Sequence, residues 1–379
     1  FSTSQQVVNR PYQETSSRVS GSEIISSNSK TSYNGNYGLN ASWTLYNGNK
    51  RLKTIQQEKL NNQVAELDVA TSENNIQESI AQVYIQILYA AESVKVNEST
   101  LQVSIAQRDR GQELLNAGSI AKSDFAQLEA QVSTDRYQLV TAQATLEDYK
   151  LQLKQLLELD GENEMNIYLP ALSDENVLAP LPTKKDVYIR ALSLRPEIEA
   201  SKLNVEASEL GIGIAKSSYL PTISLSAGIG TNHTSGSDFT FGEQVKNGWN
   251  NSIGLSVSVP IFNNRQTKSA VQKAKLQYET SMLSLLDEQK TLYKTIEGLW
   301  LDANSAQQRY AAANEKLKST QISYELISEQ FNLGMKNTIE LLTEKNNLLQ
   351  AQQEQLQAKY MAILNMQLLK FYQGDQLAI

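Results

Sequence analysis

Sliding this 379-residue chain along itself by 216 positions brings residue after residue into register without a gap. Gly38 meets Gly254, Asn47 meets Asn263, Lys59 meets Lys275, Leu60 meets Leu276, Leu67 meets Leu283 and Ile80 meets Ile296. Further on, Glu113 meets Glu329, Asn116 meets Asn332, Gly118 meets Gly334 and Leu153 meets Leu369. One unbroken offset from Gly38 to Leu153 predicts a duplicated unit. Each copy reads as a strand, a long helix, a turn and a second helix, far longer than the 20 to 50 residues of solenoid repeats.

The strand of the second copy, GLSVSVPIFNN from Gly254 to Asn264, places Leu255, Val257, Val259 and Ile261 on one face and Ser256, Ser258 and Pro260 on the other. Its counterpart, GLNASWTLYNG from Gly38 to Gly48, places Leu39, Ala41, Trp43 and Leu45 on the apolar side. A long helix then begins at about Lys50 in the first copy and about Arg265 in the second. Each runs without proline to an Asn-x-Gly turn, about 65 residues or on the order of 100 Å. Ile76, Ile80, Val83, Ile87, Ala90 and Val94 step by fours and threes as in a coiled-coil seam, and so do Leu139, Ala142, Leu146, Tyr149, Leu153 and Leu156 on the return helix. Gln, Asn, Glu and Lys fill the other faces, so such helices can pack side by side with water on both sides, as in the wall of a water-filled tube.

The second copy carries a leading helix, Lys184 to Ser217, followed by Tyr219-Leu220-Pro221 and a strand with Ile223, Leu225, Ala227 and Ile229 on one face. Shifted back by 216, that helix falls before residue 1, so the first copy is expected to lack its leading helix here. Phe1 to about Tyr33, rich in Ser, Asn and Gln, reads as strand remnant and loop, and the polar run from His233 to Gly248 as a hairpin loop. Asp160 to Thr183, with Pro170, Pro180 and Pro182, reads as a connecting segment with little regular structure. The resulting division is a first β-hairpin (1–46), a first helical hairpin (47–160), a connecting equatorial segment (161–183), the leading helix (184–218), a second β-hairpin (219–262) and a second helical hairpin with the C-terminal segment (263–379).

Several function classes drop out. A net charge of -7 with no basic stripe argues against nucleic acid. The absence of cysteine removes disulfides, thiolate metal sites, thiol catalysis and a lipid-modified cysteine within these residues. No run of about 18 apolar residues occurs, so no transmembrane helix is expected. No charged-then-apolar leader starts at Phe1, which implies a removed leader or a trimmed chain. His233 is the only histidine, which removes Ser-His-Asp and multi-histidine schemes and leaves a polar loop residue. Gly211-Ile-Gly-Ile-Ala-Lys-Ser217 fails as a phosphate loop because Ala215 precedes Lys216 and the stretch lies in a helical pattern. Asn40-Ala-Ser42 and Asn232-His-Thr234 match the glycosylation triplet without further support. No enzyme activity, cofactor or metal is expected.

Two readings of the strands stay open at this point: a small soluble sheet capping a coiled coil, or part of an outer-membrane barrel with its apolar face in lipid. Strands of about ten residues with Tyr219, Phe262, Trp249, Tyr46 and Trp43 near their ends suit the barrel. Two hairpins supply only four strands, whereas closure needs at least about eight. The membrane reading therefore requires an oligomer.

The chain resembles the TolC-type outer-membrane efflux proteins from the first hairpin to about Gln373. The resemblance is carried by Ser218-Tyr-Leu-Pro-Thr-Ile-Ser-Leu-Ser-Ala-Gly228, Val259-Pro-Ile-Phe262, Phe331-Asn-Leu-Gly-Met-Lys-Asn-Thr-Ile-Glu-Leu-Leu342, Asn347-Leu-Leu-Gln-Ala-Gln352 and Leu194-Arg-Pro-Glu-Ile198. It implies an α+β membrane protein: a homotrimer with a 12-stranded β-barrel in the outer membrane of a Gram-negative bacterium, continued by a 12-helix coiled-coil α-barrel in the periplasm. It further implies a passive exit duct for small molecules, docked to an inner-membrane pump through a periplasmic adaptor. An outer-membrane channel for type I protein secretion and a trimeric structural stalk are the alternatives.

The glycines of Asn116-Ala-Gly118-Ser119 and Asn332-Leu-Gly334-Met335 suit tight helix reversals. The resemblance adds that these turns form the periplasmic mouth, where adaptor hairpins meet the tube. It also assigns Asp124 and Glu340, each six residues after a turn glycine, to closure of that mouth, with Lys336 as partner of Asp124. The chain departs from the family pattern at Phe331, where an aromatic hydroxyl is common, and at Thr343, where a second acidic residue can occur. A weaker polar latch is expected, with Phe331, Leu333 and Met335 as the apolar alternative.

Overall fold

A computed structural model describes residues 2–10, 16–20, 22–27, 31–159, 167–168 and 177–377. Pro170, most of the connecting segment and parts of the first β-hairpin, on which some of the expectations above fall, lie outside the described residues. The chain divides into two units, Phe1–Asn62 with Asn204–Met282, and Gln63–Leu203 with Leu283–Ile379.

The first unit is built on an antiparallel sheet in the order β1 (Ser2–Asn9), β4 (Thr31–Asn47), β5 (Thr222–Thr234), β6 (Asn250–Ser258). A separate ribbon pairs β2 (Ser16–Ser20) with β3 (Glu23–Ser27). Register confirms the alternation. Leu39 faces Ile229, Ala41 faces Ala227, and Trp43, Leu225 and Leu255 form one cross-strand row. Ser42, Ser226 and Gly254 form a row of the opposite kind, as do Thr44, Ser224 and Ser256. β1 contributes only Val7 among large apolar residues to the apolar side, opposite Tyr33.

Three details differ from expectation. The register slips between Thr44 and Tyr46, so Tyr46 rather than Leu45 stands opposite Ile223. An extra residue inserted in one strand does this, and no alternation pattern reveals it. β6 ends at Ser258, so Val259 and Ile261 lie past the strand; Pro260 has no N–H to continue a ladder. The loop after β5 contains a short helix, α5 (Phe241–Asn247), whose Thr240 and Glu243 satisfy each other's backbone in a capping box.

Each copy enters its long helix through two consecutive left-handed residues, Gly48-Asn49 in the first and Asn264-Arg265 in the second, with φ of 66°, 62°, 54° and 62°. At Gly48 this freedom is needed twice over, because a Cβ would lie 2.7 Å from the Ser217 carbonyl oxygen.

The second unit holds most of α1 (Lys50–Asn116) and α6 (Gln266–Asn332), all of α2 (Lys122–Leu156), α3 (Lys184–Leu194) and α7 (Thr338–Tyr372), and the start of α4 (Pro196–Ser217). The duplication is preserved residue for residue: Lys50 and Gln266, Asn116 and Asn332, Lys122 and Thr338, and Leu156 and Tyr372 each lie 216 apart. The expected single leading helix is broken into α3 and α4 at Arg195, which is extended at φ -75°, ψ 123°. Pro196 causes the break, since a residue before proline is driven out of the helical region while proline itself suits a first helical turn.

That break places Arg195 in the core, where it pairs with Glu78 at 2.7 Å and Glu197 at 3.1 Å and lies 3.8 Å from the centre of the Tyr372 ring. The connecting segment is held on α6 by hydrogen bonds from Trp300 to the Pro182 carbonyl and from Gln307 to those of Val177 and Ala179. In the C-terminal half of α7, Ala362, Ile363, Leu364, Met366, Leu368 and Leu369 are all buried.

Candidate functional site at the helix turns

Both long helices end in the same backbone device. Gly118 and Gly334 have φ of 74° and 75°. In the first turn the Gly118 N–H donates to the Leu115 carbonyl and that of Ser119 to Leu114; in the second, Gly334 donates to Phe331 and Met335 to Gln330. These are the paired bonds of a Schellman end, which satisfy the last carbonyls of the helix and turn the chain back.

The return helices start differently. Asn337 caps α7: its side chain accepts from the Glu340 N–H at 2.9 Å, while Glu340 accepts from the Asn337 N–H at 3.2 Å. In the first copy the cap position is Ala121, which has no side-chain acceptor, and only the Asp124 half of the box forms, accepting from the Ala121 N–H at 3.4 Å.

Within the chain, Lys336, in the turn just before the Asn337 cap, pairs with Glu340 in the first turn of α7. The contact closes across the start of α7, where the Lys336 ammonium and the Asn337 N–H reach the same carboxylate. Hydrogen bonding from Lys336 and then from the Asn337 N–H holds the Glu340 carboxyl below the usual carboxylate range. Thr343 turns its hydroxyl back onto the Ile339 carbonyl at 2.8 Å. Phe331 is buried in the hairpin, whereas Leu333, Met335 and Ile339 are 75%, 70% and 62% exposed.

Above the turns lies a cluster that sequence reasoning missed. Lys345 of α7 donates to both Asp135 of α2 and Ser104 of α1, Ser104 donates to Asp135, and Gln131 donates to the other Asp135 oxygen at 2.9 Å. Lys345 and Asp135 are 3% and 1% exposed. Burial pushes the Lys345 ammonium down, and Asp135 opposes that shift.

The sheet of the first unit supplies the other functional surface. Its apolar row is bare: Trp43 is 62% exposed, Ile253 84% and Leu255 66%. Ser4, Asn36, Asn40, Gly228 and Ser252 line the opposite, polar face. This removes the soluble-sheet reading, which requires the apolar row to be covered by a helix of the chain.

The family model described as "Outer membrane efflux protein" matches residues 9–158 and 187–374. The chain belongs to the outer membrane efflux protein family. It is 24% identical over 290 residues to the outer membrane efflux protein BepC of Brucella suis, covering 76% of this chain and 60% of BepC. It is 23% identical over 311 residues to the outer membrane protein TolC of Escherichia coli, covering 80% of this chain and 62% of TolC. The chain thus spans about three-fifths of the length of these two relatives. Among solved structures, the CmeC outer membrane channel of Campylobacter jejuni superposes with a TM-score of 0.75 at 18% identity, covering 100% of this chain and 78% of that one. The protein is an outer-membrane protein with the α+β channel fold of this family, and no helix among the described residues is long and apolar enough to cross a membrane.

Proposed function

We propose that three copies of the chain close a twelve-stranded barrel in the outer membrane and continue it as a twelve-helix tube in the periplasm, making a passive exit duct for an inner-membrane pump joined through a periplasmic adaptor. The observation that carries this is the four-stranded sheet with one bare apolar face and one polar face. Such a sheet is too narrow to close alone, and its unpaired edges are intolerable in lipid unless other copies supply partners. Polar residues on the inner row then line a water-filled lumen, and long helices with narrow seams continue it. The efflux reading is favoured by what BepC and the matching family model are called.

In this reading the two turns, at Asn116, Gly118 and Ser119 and at Asn332, Gly334 and Met335, form the mouth where an adaptor docks. Glu340 lines that mouth as a ring of three carboxylates, each neutralised in part by its own Lys336. Asp124 and Thr343 add polar groups beside it, and Leu333 and Met335 are the apolar side chains free to meet across the axis.

The test is single-channel recording of purified protein in planar bilayers. A cation-preferring conductance whose preference falls in Glu340→Gln and at high salt supports the duct and its ring. Absence of any conductance from protein that inserts into vesicles refutes the duct, and passage of an unfolded polypeptide but not of small solutes points to protein secretion instead.

A further inference from the structure

The duplication makes the contacts inside one chain a template for those between chains. In a ring of three copies the first and second helical hairpins alternate, so a contact between residue i of the first hairpin and residue j of the second recurs, between neighbouring copies, at i plus 216 and j minus 216. Ser104, Asp135 and Lys345 map in this way onto Thr320, Ala351 and Glu129. No ion pair can form there. The Tyr89–Tyr360 edge contact, with ring centres 6.4 Å apart, maps onto Ser305 and Ala144. The ion cluster and the tyrosine pair are therefore absent from the counterpart, whereas the Gln107–Tyr324 hydrogen bond, 3.0 Å, maps onto Ser323 and Arg108, which retain a donor and an acceptor.

The surface for that counterpart exists. A groove of about 550 Å³ between α6 and α7 is lined by Ser305, Ala306, Arg309, Ala313, Ala358 and Met361. Ser305 is the residue that the mapping puts against Ala144 of the next copy. The mapped image of the Gln131–Asn346 contact, whose side chains are 3.5 Å apart, is Asn347 against Ala130, and both of these are exposed in one chain.

We propose that the Ser104–Asp135–Lys345 cluster clamps the seam inside each chain, and that the seam between chains, where the first hairpin of a second copy lies along the α6–α7 groove, is the one that parts when the tube opens. A buried ion pair with its hydrogen bonds satisfied is a poor source of net stability and a strong determinant of one arrangement over another. It holds α7 to α1 and α2 at a fixed register, because sliding by one turn would strand both charges away from water. At the places that match the ion cluster and the tyrosine pair, the other seam carries Thr320, Ala351, Ser305 and Ala144, with Glu129 the one charge among them, so no buried ion pair fixes its register. Motion of the mouth is thereby confined to three seams of six. The proposal rests on the three-copy reading above.

The chain has no cysteine, so introduced pairs are the only thiols. Gln131→Cys with Asn346→Cys spans the seam within the chain, and Ala130→Cys with Asn347→Cys spans the seam between copies, each to be bridged by a short bis-maleimide because long side chains meeting at their ends leave the β-carbons too far apart for a disulfide. Bridging the second pair is expected to give covalently linked oligomers and to lower the open-state population in bilayer recordings about tenfold. Bridging the first pair should give no linked oligomers and leave that population within about twofold. The variant Asp135→Leu with Lys345→Met, which removes both charges at similar volume, should raise the open population about tenfold and make the two cysteine pairs equally effective locks. The proposal is overturned if linking the seam within the chain closes the parent channel as much as linking the other, or if the double variant opens no more than the parent. A native mass of one chain would sink the three-copy reading instead. A trimer in which Ala130→Cys and Asn347→Cys never link would leave that reading standing and refute the seam assignment.

Discussion

The two helix turns share a backbone and differ in what they present. Both use a left-handed glycine and the same pair of helix-ending bonds. The second exposes Leu333, Met335 and Ile339, while the first carries Ala117, Ser119 and Ser123 at the same three places. The second return helix is fully capped by Asn337 and the first only half capped. Duplication has thus kept what turns the chain and changed what meets a partner. The tips are two chemically different surfaces on one repeated frame, the second apolar and firm, the first polar and looser. The seam above them follows the same rule, with a buried ion cluster on one side of the repeat and Thr320, Ala351 and Glu129, which cannot form an ion pair among themselves, at the matching places.

The sharpest way to break this comparison is at that seam. Lys345→Met leaves Asp135 buried without its cation and should cost about 3–5 kcal/mol, read as a fall in the denaturation midpoint. Its repeat counterpart Glu129 is exposed, and Glu129→Met should stay within about 0.5 kcal/mol. Equal losses would mean that the two seams are alike. In the strands the copies should behave identically. Leu39→Arg and Leu255→Arg, on the bare apolar row, should each hinder insertion by roughly 2–4 kcal/mol near the midplane, while Ser256→Arg on the polar row is tolerated. A difference between faces that vanished in vesicle-insertion assays would remove the lipid-facing assignment.

At the tips the caps can be exchanged. Asn337→Ala should lose about 1 kcal/mol and Ala121→Asn should gain a comparable amount, measurable as amide exchange rates in the first turns of α7 and α2. The smallest effect is acidification. Glu340 is depressed in the folded chain, so its contribution is fully present above the ordinary carboxylate value and is lost as pH falls through the depressed one. Protection at Asn337 to Glu340, taken relative to the intrinsic exchange rate at each pH, should therefore fall in that acid window and stay level in Glu340→Gln.

How much of this was legible in the sequence depended on range. The 216-residue offset marks the two long helices, their turns and their return helices, and glycine after Asn-x marks the left-handed residue of each turn, because both signals are local or repeated. The break at Arg195 has a signal in the Leu-Arg-Pro triplet, since a residue before proline avoids the helical region, although Lys184 to Ser217 reads as one helix. The buried half of α7, YMAILNMQLLKFY, is apolar on most sides, as a surrounded helix requires, a signal that the four-and-three seam pattern does not carry. The clamp could not be read, since its members lie 31, 210 and 241 residues apart and each resembles a solvated helix residue until the helices are packed. Lys336 was assigned to Asp124 by resemblance, and the nearer Glu340 takes it within the chain.

The central claim is that the sheet of one chain cannot close and that lipid, not protein, covers its apolar row. Native mass spectrometry of the detergent-extracted protein tests it most directly. The account predicts one species of three chains that aggregates when detergent is withdrawn. A single chain that remains monodisperse in water without detergent would contradict it.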